Sequence, residues 1–281
     1  MLSLPGYFEY IGQKTYIDKY PEEIITLEAL KGKKLVEFGA GKGNDMRFLI
    51  EKVGLRPADV FYTEADSAVF DSVYEELEEL FAPDPVENNH LDHIHLLDAA
   101  LISLAYEKAQ RSPLGRAIGV MDDFAPESFD YVYANNFLHC LAQPGRRELP
   151  FEVRHSGRQR ELTGDLAKRC NIHVASPEQR VRRVFYEAYR LLRQKGVFFG
   201  RTQHAYIDEK MVIDLHEKSR RTENEEFKLR TAEALTEGKL FGMTEEQIVS
   251  YAAGSGFSGH KTKTDHGKNS PAGVIYFRFE K

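Results

Sequence analysis

The sequence predicts an α/β protein with a doubly wound, mostly parallel sheet that ends in an antiparallel hairpin. Short apolar segments with the composition of buried strands alternate with longer segments whose apolar residues recur at helical spacing. The first strand segment, 35–38, leads through closely spaced glycines into a helix, as in parallel sheets that bind a ligand at this turn. Two strand segments close the chain, around 260–264 and 274–279, and only a turn separates them.

Composition and charge are those of an ordinary globular protein. The chain has 281 residues, of which 42% are hydrophobic and 29% are charged, so we expect one domain over residues 1–281 with insertions. The net charge of −6 argues against broad binding to nucleic acid or to an anionic membrane. Cys140 and Cys170 lie far apart, which suggests neither a disulfide framework nor a thiolate zinc site. Without a signal sequence or an apolar run of membrane length, the expected location is cytoplasmic.

The glycines after the first strand predict a turn that holds a ligand. Gly39, Gly41 and Gly43 are spaced two residues apart, and glycine permits both a positive φ and a close approach of ligand to backbone. A dinucleotide-binding turn would need its third glycine one residue later. A phosphate-binding loop would need Ser or Thr after a Gly-Lys pair, whereas Lys42 precedes a glycine.

Acidic residues follow the next strand segment, 60–63. Glu64 stands at its end, about twenty residues after the glycine turn, where a carboxylate can accept hydrogen bonds from both hydroxyls of a ribose. Asp66 is a second candidate for that role, or else the N-cap of the helix predicted to follow it.

The third strand has two interpretations. In the first, residues 82–115 are an insertion with a helix, and the strand covers 117–121. In the second, residues 93–97 form the strand and Asp98 stands at its tip. Three histidines of this stretch invite a metal hypothesis: His90, His93 and His95. We favour a packed or solvated insertion and expect no metal site.

The strand predicted over 129–134 is the second most informative stretch. Its aromatic and β-branched residues are typical of a buried central strand. Asn135, Asn136 and His139 follow at its carboxyl end, where ligands bind in doubly wound sheets.

Two further segments are predicted to cover the carboxyl edge of the sheet. Residues 143–176 are polar and basic, which suits an anionic substrate, although a run of charges is usually just a solvated surface. Residues 203–243 are charged and helical.

The remaining elements follow from periodicity and capping. Residues 177–195 predict a long amphipathic helix that Gly196 ends, and a strand begins at Val197. The last helix is predicted to begin with a capping arrangement of Thr244 and Gln247.

Three motifs resemble those of one enzyme family. Residues 37–43, E-F-G-x-G-x-G, resemble motif I of the class I S-adenosylmethionine-dependent methyltransferases. Residues 128–139, S-F-D-x-V-x-x-N-x-x-L-H, resemble the fourth strand of the UbiE-like group of small-molecule methyltransferases. Residues 189–202 resemble the family's R-x-L-x-x-G-G turn into strand five, with Lys195 in place of the first glycine.

The resemblance implies a Rossmann-like, seven-stranded sheet and S-adenosyl-L-methionine as cofactor. In the family the glycine turn lies beneath the amino-acid part of the cofactor, and an acidic residue after the third strand accepts a hydrogen bond from the adenine. The residues expected to bind the cofactor are Glu37, Phe38, Gly39, Ala40, Gly41, Gly43, Glu64, Asp66, Asp122, Asp123, Phe124, Asn135 and Asn136.

The implied reaction is methyl transfer to an oxygen, nitrogen, sulfur or carbon atom of a small molecule. His139 is the expected catalytic base, because a neutral imidazole accepts a proton near pH 7. The residues expected to bind the substrate are Tyr16, His139, Arg201 and His204. Two alternatives stay open: a methyltransferase that acts on protein or RNA through the basic segment 143–176, and a binding module of the same fold without catalysis.

Overall fold

The computed structural model describes residues 15–39, 43–64, 94–96, 125–142, 177–267 and 270–281. The strands are β1 (Leu35–Phe38), β2 (Val60–Glu64), β3 (Ile94–Leu96), β4 (Phe129–Asn135), β5 (Leu192–Ile207), β6 (Gly259–Asp265) and β7 (Ala272–Glu280). The helices are α1 (Leu27–Leu30), α2 (Asn44–Phe48), α3 (Pro177–Leu191), α4 (Glu209–Glu217), α5 (Glu223–Thr236) and α6 (Glu245–Ser255). Single helical turns lie at Ile17–Lys19, Pro57–Asp59 and Leu138–Ala142, and a π-helical turn, Leu49–Val53, continues α2. Within these ranges no helix has both the length and the apolar character needed to cross a membrane.

The strands form one mixed sheet in the order β3-β2-β1-β4-β5-β7-β6. Strands β1 to β5 pair in parallel, whereas β7 is antiparallel to both of its neighbours. The predicted α/β class is confirmed. Since β2 and β3 lie on one side of β1 and β4 lies on the other, the strand order reverses between β1 and β4. Ligands of doubly wound sheets bind outside the carboxyl ends of the strands at such a reversal.

The amino-terminal segment and α2 cover one face of the sheet. Tyr20 packs edge-to-face against Phe199 of β5 and Tyr276 of β7, with ring centroids 5.7 and 5.4 Å apart. The buried apolar cluster on this face includes Ile17, Ile24, Leu30, Leu35, Met46, Leu49, Val60, Tyr133 and Val197. This contact fixes the position of residues 17–30, which precede the sheet.

Helices α3 and α6 cover the opposite face. Phe185 of α3 packs against Phe198 of β5 and Phe279 of β7, with centroids 5.2 and 5.7 Å apart. Tyr251 of α6 adds a further edge contact to Phe185 at 6.0 Å. Because helices or chain cover both faces, every residue of β1 is buried, which explains why three of its four residues are apolar.

Two helices begin with reciprocal side-chain and backbone hydrogen bonds. At α6 the Thr244 hydroxyl accepts from the Gln247 N–H, and the Gln247 side chain accepts from the Thr244 N–H, as predicted. Thr222 and Glu225 form the same capping box at α5. A capping box satisfies two backbone donors that the first turn leaves unpaired.

Strand β5 is longer than predicted at both ends. Helix α3 ends at Leu191 and β5 begins at the next residue, whereas the sequence predicted a helix up to Gly196. The strand continues to Ile207, so the start of the insertion predicted over 203–243 belongs to the sheet. At the carboxyl end the physical reason is β7, which pairs with β5 well beyond the end of β4 and satisfies its backbone groups there. At the amino end, Leu192 pairs with Phe129 of β4. Helices α4 and α5 occupy much of the remaining segment.

Strand β3 lies inside the stretch that the first interpretation made an inserted helix. Residues 94–96 pair in parallel with residues 62–64, so the helical prediction is wrong for these three residues and the strand interpretation agrees with them. Pairing satisfies the backbone groups on the outer edge of β2. The spacing of apolar residues in the sequence does not reveal this requirement. Residues 117–121 lie outside the described residues.

Lys195 adopts a left-handed backbone conformation. Its φ is +64°, its side chain is exposed, and its N–H donates to the carbonyl of Lys281 at 3.1 Å. Lys195 stands where the R-x-L-x-x-G-G motif, which residues 189–202 resemble, has its first glycine. An L-residue in this region is strained by roughly 1–2 kcal/mol, and glycine is not.

We expect Lys195→Gly to raise the free energy of unfolding by about 0.5–1 kcal/mol, because strain is relieved while the backbone hydrogen bond is kept. Urea unfolding at constant m-value measures the change. The control is Lys261→Gly at an exposed position of β6, where glycine should destabilise the protein by about 0.5–1 kcal/mol. Equal destabilisation by both changes would contradict the strain at Lys195.

Candidate functional site

Residues from three neighbouring strands meet at the carboxyl edge of the sheet. Gly39 follows β1, Asn135 ends β4, and Arg201 is the register partner of Asn135 in β5. The Asn136 N–H donates to the Arg201 carbonyl at 3.0 Å, which extends this pairing by one residue. The candidate site therefore lies at the reversal of strand order between β1 and β4 and extends to β5.

Gly39 is required by backbone conformation and by packing. Its φ is +67°, and a Cβ atom there would lie 2.3 Å from Cδ2 of the Phe137 ring. Asn136, at φ +52°, turns the chain after β4 so that Phe137 reaches this glycine. Asparagine is among the few residues other than glycine that often adopt such a conformation. The middle of the turn, residues 40–42, lies outside the described residues.

A buried carboxylate, Asp45, joins three segments of the chain. Its Oδ1 accepts from the N–H groups of Tyr16 and Ile17 at 2.7 and 3.2 Å. Its Oδ2 accepts from the amide nitrogen of Asn135 at 2.5 Å. Asp45 lies in the first turn of α2, so it ties the amino-terminal segment and the end of β4 to the helix that follows the glycine turn.

Burial raises the pKa of Asp45, and the hydrogen bonds from Tyr16, Ile17 and Asn135 oppose that rise. Sequence reasoning missed this residue. The only signal was an aspartate in a first helical turn, which normally indicates a favourable interaction with the helix dipole.

A second buried carboxylate, Glu37, lies on the same face as Asp45. Glu37 is 3% exposed and is the register partner of Tyr133 in β4, which is fully buried. Burial raises the pKa of the Tyr133 hydroxyl well above its usual value, and the charges of Asp45 and Glu37 raise it further. Burial likewise raises the pKa of Tyr20. Both phenols therefore keep their protons at neutral pH.

Arg201 lies against two tyrosine rings. The centre of its guanidinium is 4.6 Å from the ring centroid of Tyr16 and 5.6 Å from that of Tyr276. Its Nε is buried and has no hydrogen-bond partner in the described part of the chain. Two amide oxygens of the site, Oδ1 of Asn135 and Oδ1 of Asn136, are buried without such a partner in the same residues.

His139 is fully buried on the opposite side of the sheet edge, beside Thr202. Its Nδ1 lies 3.5 Å from the Thr202 hydroxyl, and its carbonyl accepts from the Phe241 N–H. Burial, together with the positive charge of Arg201, lowers the pKa of His139 to about 3. This value removes the reason for which the sequence favoured His139 as a base near pH 7. Its part in catalysis stays a prediction.

His204 lies farther along β5. Three residues of extended chain separate it from Arg201 by about 10 Å. Its Nδ1 accepts from the Tyr206 N–H at 2.8 Å, and its ring centroid is 5.3 Å from that of His266. Burial lowers the pKa of His204, and His266 lowers it further. Of the predicted substrate residues, Tyr16 and Arg201 are in contact, whereas His204 forms a separate group.

Several predicted site residues lie outside the described residues. They are Ala40, Gly41, Asp66, Asp122, Asp123 and Phe124. Glu64 is described by its backbone, which ends β2, and Phe38 ends β1 as a buried core residue. Gly43 has φ +67° and is the N-cap of α2. Among the described residues, no three His, Cys, Asp or Glu side chains are grouped to hold a metal ion.

No protein-family model matches the sequence, and no curated protein matches it. The solved structures similar to the chain include the CurJ carbon methyltransferase, at 14% identity over 94% of this chain and 50% of that chain, with a TM-score of 0.44. Phosphoethanolamine N-methyltransferase 2 of Haemonchus contortus, in complex with S-adenosyl-L-methionine, is 11% identical over 89% of this chain and 49% of that chain, with a TM-score of 0.46. The DszA carbon methyltransferase is 13% identical over 89% of this chain and 47% of that chain, with a TM-score of 0.44.

The chain spans about half the length of these three solved chains. At this level of likeness no conclusion about activity follows for this protein.

We expect Asp45→Ala to lower the free energy of unfolding by about 3 kcal/mol, because the N–H groups of Tyr16 and Ile17 and the amide of Asn135 lose their acceptor. Asp45→Asn should cost less, since its amide oxygen still accepts from the N–H groups of Tyr16 and Ile17. Urea unfolding near pH 7 measures both changes. The control is Asp18→Ala, an exposed aspartate of the same segment, with an expected change within about 0.5 kcal/mol. A loss for Asp45→Ala as small as that of the control would show that these hydrogen bonds do not hold the segment.

We expect His139 to make folding stability depend on pH. The imidazole protonates near pH 6.5 in the unfolded chain but near pH 3 in the folded protein, so the unfolded state binds more protons between these values. Stability is therefore fully present above pH 6.5 and falls as the pH decreases, by about 1.4 kcal/mol per pH unit.

Unfolding of wild type and His139→Gln in urea at pH 6.5 and pH 4.5 measures this effect. The difference in the free energy of unfolding between the two proteins should change by roughly 2–3 kcal/mol over this range, and the variant should gain stability relative to wild type at the lower pH. His260→Gln, at an exposed position of β6, is the matched control for loss of an imidazole. A constant difference between wild type and His139→Gln at both pH values would refute the lowered pKa.

Proposed function

We propose that this protein transfers a methyl group from S-adenosyl-L-methionine to a small-molecule nucleophile, as a class I methyltransferase. One observation carries the proposal. The three motifs that resemble this family are far apart in sequence, yet they fall on β1, β4 and β5, which are adjacent strands. They bring Gly39, Asn135 and Arg201 to one edge of the sheet, at the reversal where doubly wound sheets bind ligands.

The polar groups of this edge fit the methionine half of the cofactor. The side-chain oxygens of Asn135 and Asn136 are buried acceptors without a partner in the described residues, and an ammonium group is a donor that would satisfy them. Glu37 and Asp45 are 3% and 4% exposed, and a carboxylate at short range favours a cationic ligand such as a sulfonium. The positive φ of Gly39 supports the same interpretation of the turn.

S-adenosylmethionine supplies a methyl group that is already activated by the sulfonium. The protein must then align the two reactants and exclude water, and orientation is worth about 7–11 kcal/mol in the best cases. The segment that Asp45 holds through Tyr16 and Ile17 is suited to this covering role. His139, with a pKa of about 3, is suited to hydrogen bonding rather than to proton removal near pH 7.

The finer sequence predictions belong to the same proposal. Glu64 would bind the ribose, Asp122 or Asp123 the adenine amino group, and Phe124 the face of the ring. We also propose that this sheet and its closing hairpin are those of the class I methyltransferases and that the protein belongs to the UbiE-like group. A cytoplasmic location and an anionic acceptor complete it.

We expect the folded protein to bind S-adenosylhomocysteine with a dissociation constant on the order of 10 μM. Gly39→Ala should weaken binding by about tenfold or more, because the added Cβ overlaps the Phe137 ring and strains the turn at positive φ. Isothermal titration calorimetry measures both affinities.

Gly32→Ala is the matched control. Gly32 has φ +66°, nearly the same as Gly39, but a Cβ there meets nothing within 4 Å, and the residue precedes β1. This variant should lose a similar amount of stability to backbone strain and keep its affinity. The proposed function fails if folded wild type binds neither S-adenosylmethionine nor S-adenosylhomocysteine.

A further inference from the structure

Arg201 lies at the carboxyl edge of the sheet, on the same face as Asn135. The two residues are register partners in β5 and β4, and paired residues of adjacent strands point to the same face. The amide of Asn135 donates to Asp45, and Arg201 lies over the ring of Tyr16. The Arg201 side chain is therefore directed toward the amino-terminal segment.

The two tyrosine rings fix the guanidinium before any ligand binds. Tyr16 is held by its N–H bond to Asp45 at 2.7 Å, and Tyr276 is the register partner of Arg201 in β7. The N–H groups of a guanidinium lie at the edge of its plane, and an attraction to aromatic rings does not use up their capacity to donate hydrogen bonds. This fork matches the two oxygens of a carboxylate or phosphate.

Arg201 has no carboxylate partner in the described part of the chain. Other arginines there do: Arg183 and Arg190 bind Glu187, and Arg221 and Arg230 bind Glu226. Asp45, the buried carboxylate tied to the Tyr16 backbone, already accepts three hydrogen bonds. A partly buried guanidinium whose Nε lacks an acceptor is destabilising by itself, and an oxyanion would remove that penalty.

We propose that Arg201, held by Tyr16 and Tyr276, binds a carboxylate or phosphate group of the ligand at this edge. The inference rests on the proposed function, since it assigns an oxyanion to the acceptor substrate of that same site. The carboxylate of the methionine half of the cofactor offers the same chemistry. The two sources differ in which ligand loses affinity when Arg201 is changed.

Calorimetric titrations of wild type, Arg201→Gln and Arg201→Lys at fixed ionic strength separate the sources. The probes are inorganic phosphate in the presence of saturating S-adenosylhomocysteine, and then S-adenosylhomocysteine and 5′-methylthioadenosine, which lacks the amino-acid part. Arg193→Gln is the matched control, because it removes the same charge from the opposite end of β5. Arg201→Lys keeps the charge but loses the planar fork, so its effect should be smaller than that of Arg201→Gln.

An acceptor oxyanion is supported if Arg201→Gln weakens phosphate binding by about tenfold or more and leaves S-adenosylhomocysteine unaffected. A cofactor carboxylate is supported if Arg201→Gln weakens the binding of S-adenosylhomocysteine to that extent but leaves the binding of 5′-methylthioadenosine unchanged. The inference is overturned if Arg201→Gln changes the affinity for neither ligand, or changes it no more than Arg193→Gln does.

If wild type binds neither nucleoside, the phosphate titration is run without them. Loss of phosphate binding in Arg201→Gln would then leave the oxyanion site standing while the proposed function fails.

Discussion

The buried carboxylate of Asp45 is the contact on which the candidate site depends. A carboxylate at 4% exposure is stable only with several donors, and its donors come from the amino-terminal segment and from Asn135 at the end of β4. These bonds set the position of Tyr16, and the Tyr16 ring in turn sets that of Arg201. The side chain of Asp45 thus links the amino-terminal segment to α2 and to β4, and through Tyr16 it also positions Arg201 of β5.

The two faces of the sheet differ in chemistry at this edge. Glu37, Asp45 and Arg201 lie on the face beneath the amino-terminal segment. His139 and Thr202 lie on the other face, where burial and the positive charge of Arg201 keep the imidazole neutral near pH 7. Three ionisable side chains and a neutral imidazole therefore lie on opposite faces of the sheet at this edge.

Local patterns in the sequence predicted local structure well. The capping box at Thr244 and the buried strands β1 and β4 follow from residue types within a few positions of one another. The length of β5 could not be predicted in this way, because it depends on β7, which lies many residues later in the chain. Strand β3 was likewise ambiguous, since its helical periodicity competed with the need of β2 for a partner.

The sequence by itself determined the α/β class, the glycine turn at Gly39 and the polar residues that end β4. It did so because these features are written in short segments whose spacing reflects backbone geometry. Only the tertiary structure decided the three hydrogen bonds to Asp45, the tyrosine contacts of Arg201 and the low pKa of His139. Each of these arises from burial between segments distant in the chain, and burial is a property of the packed molecule rather than of local sequence.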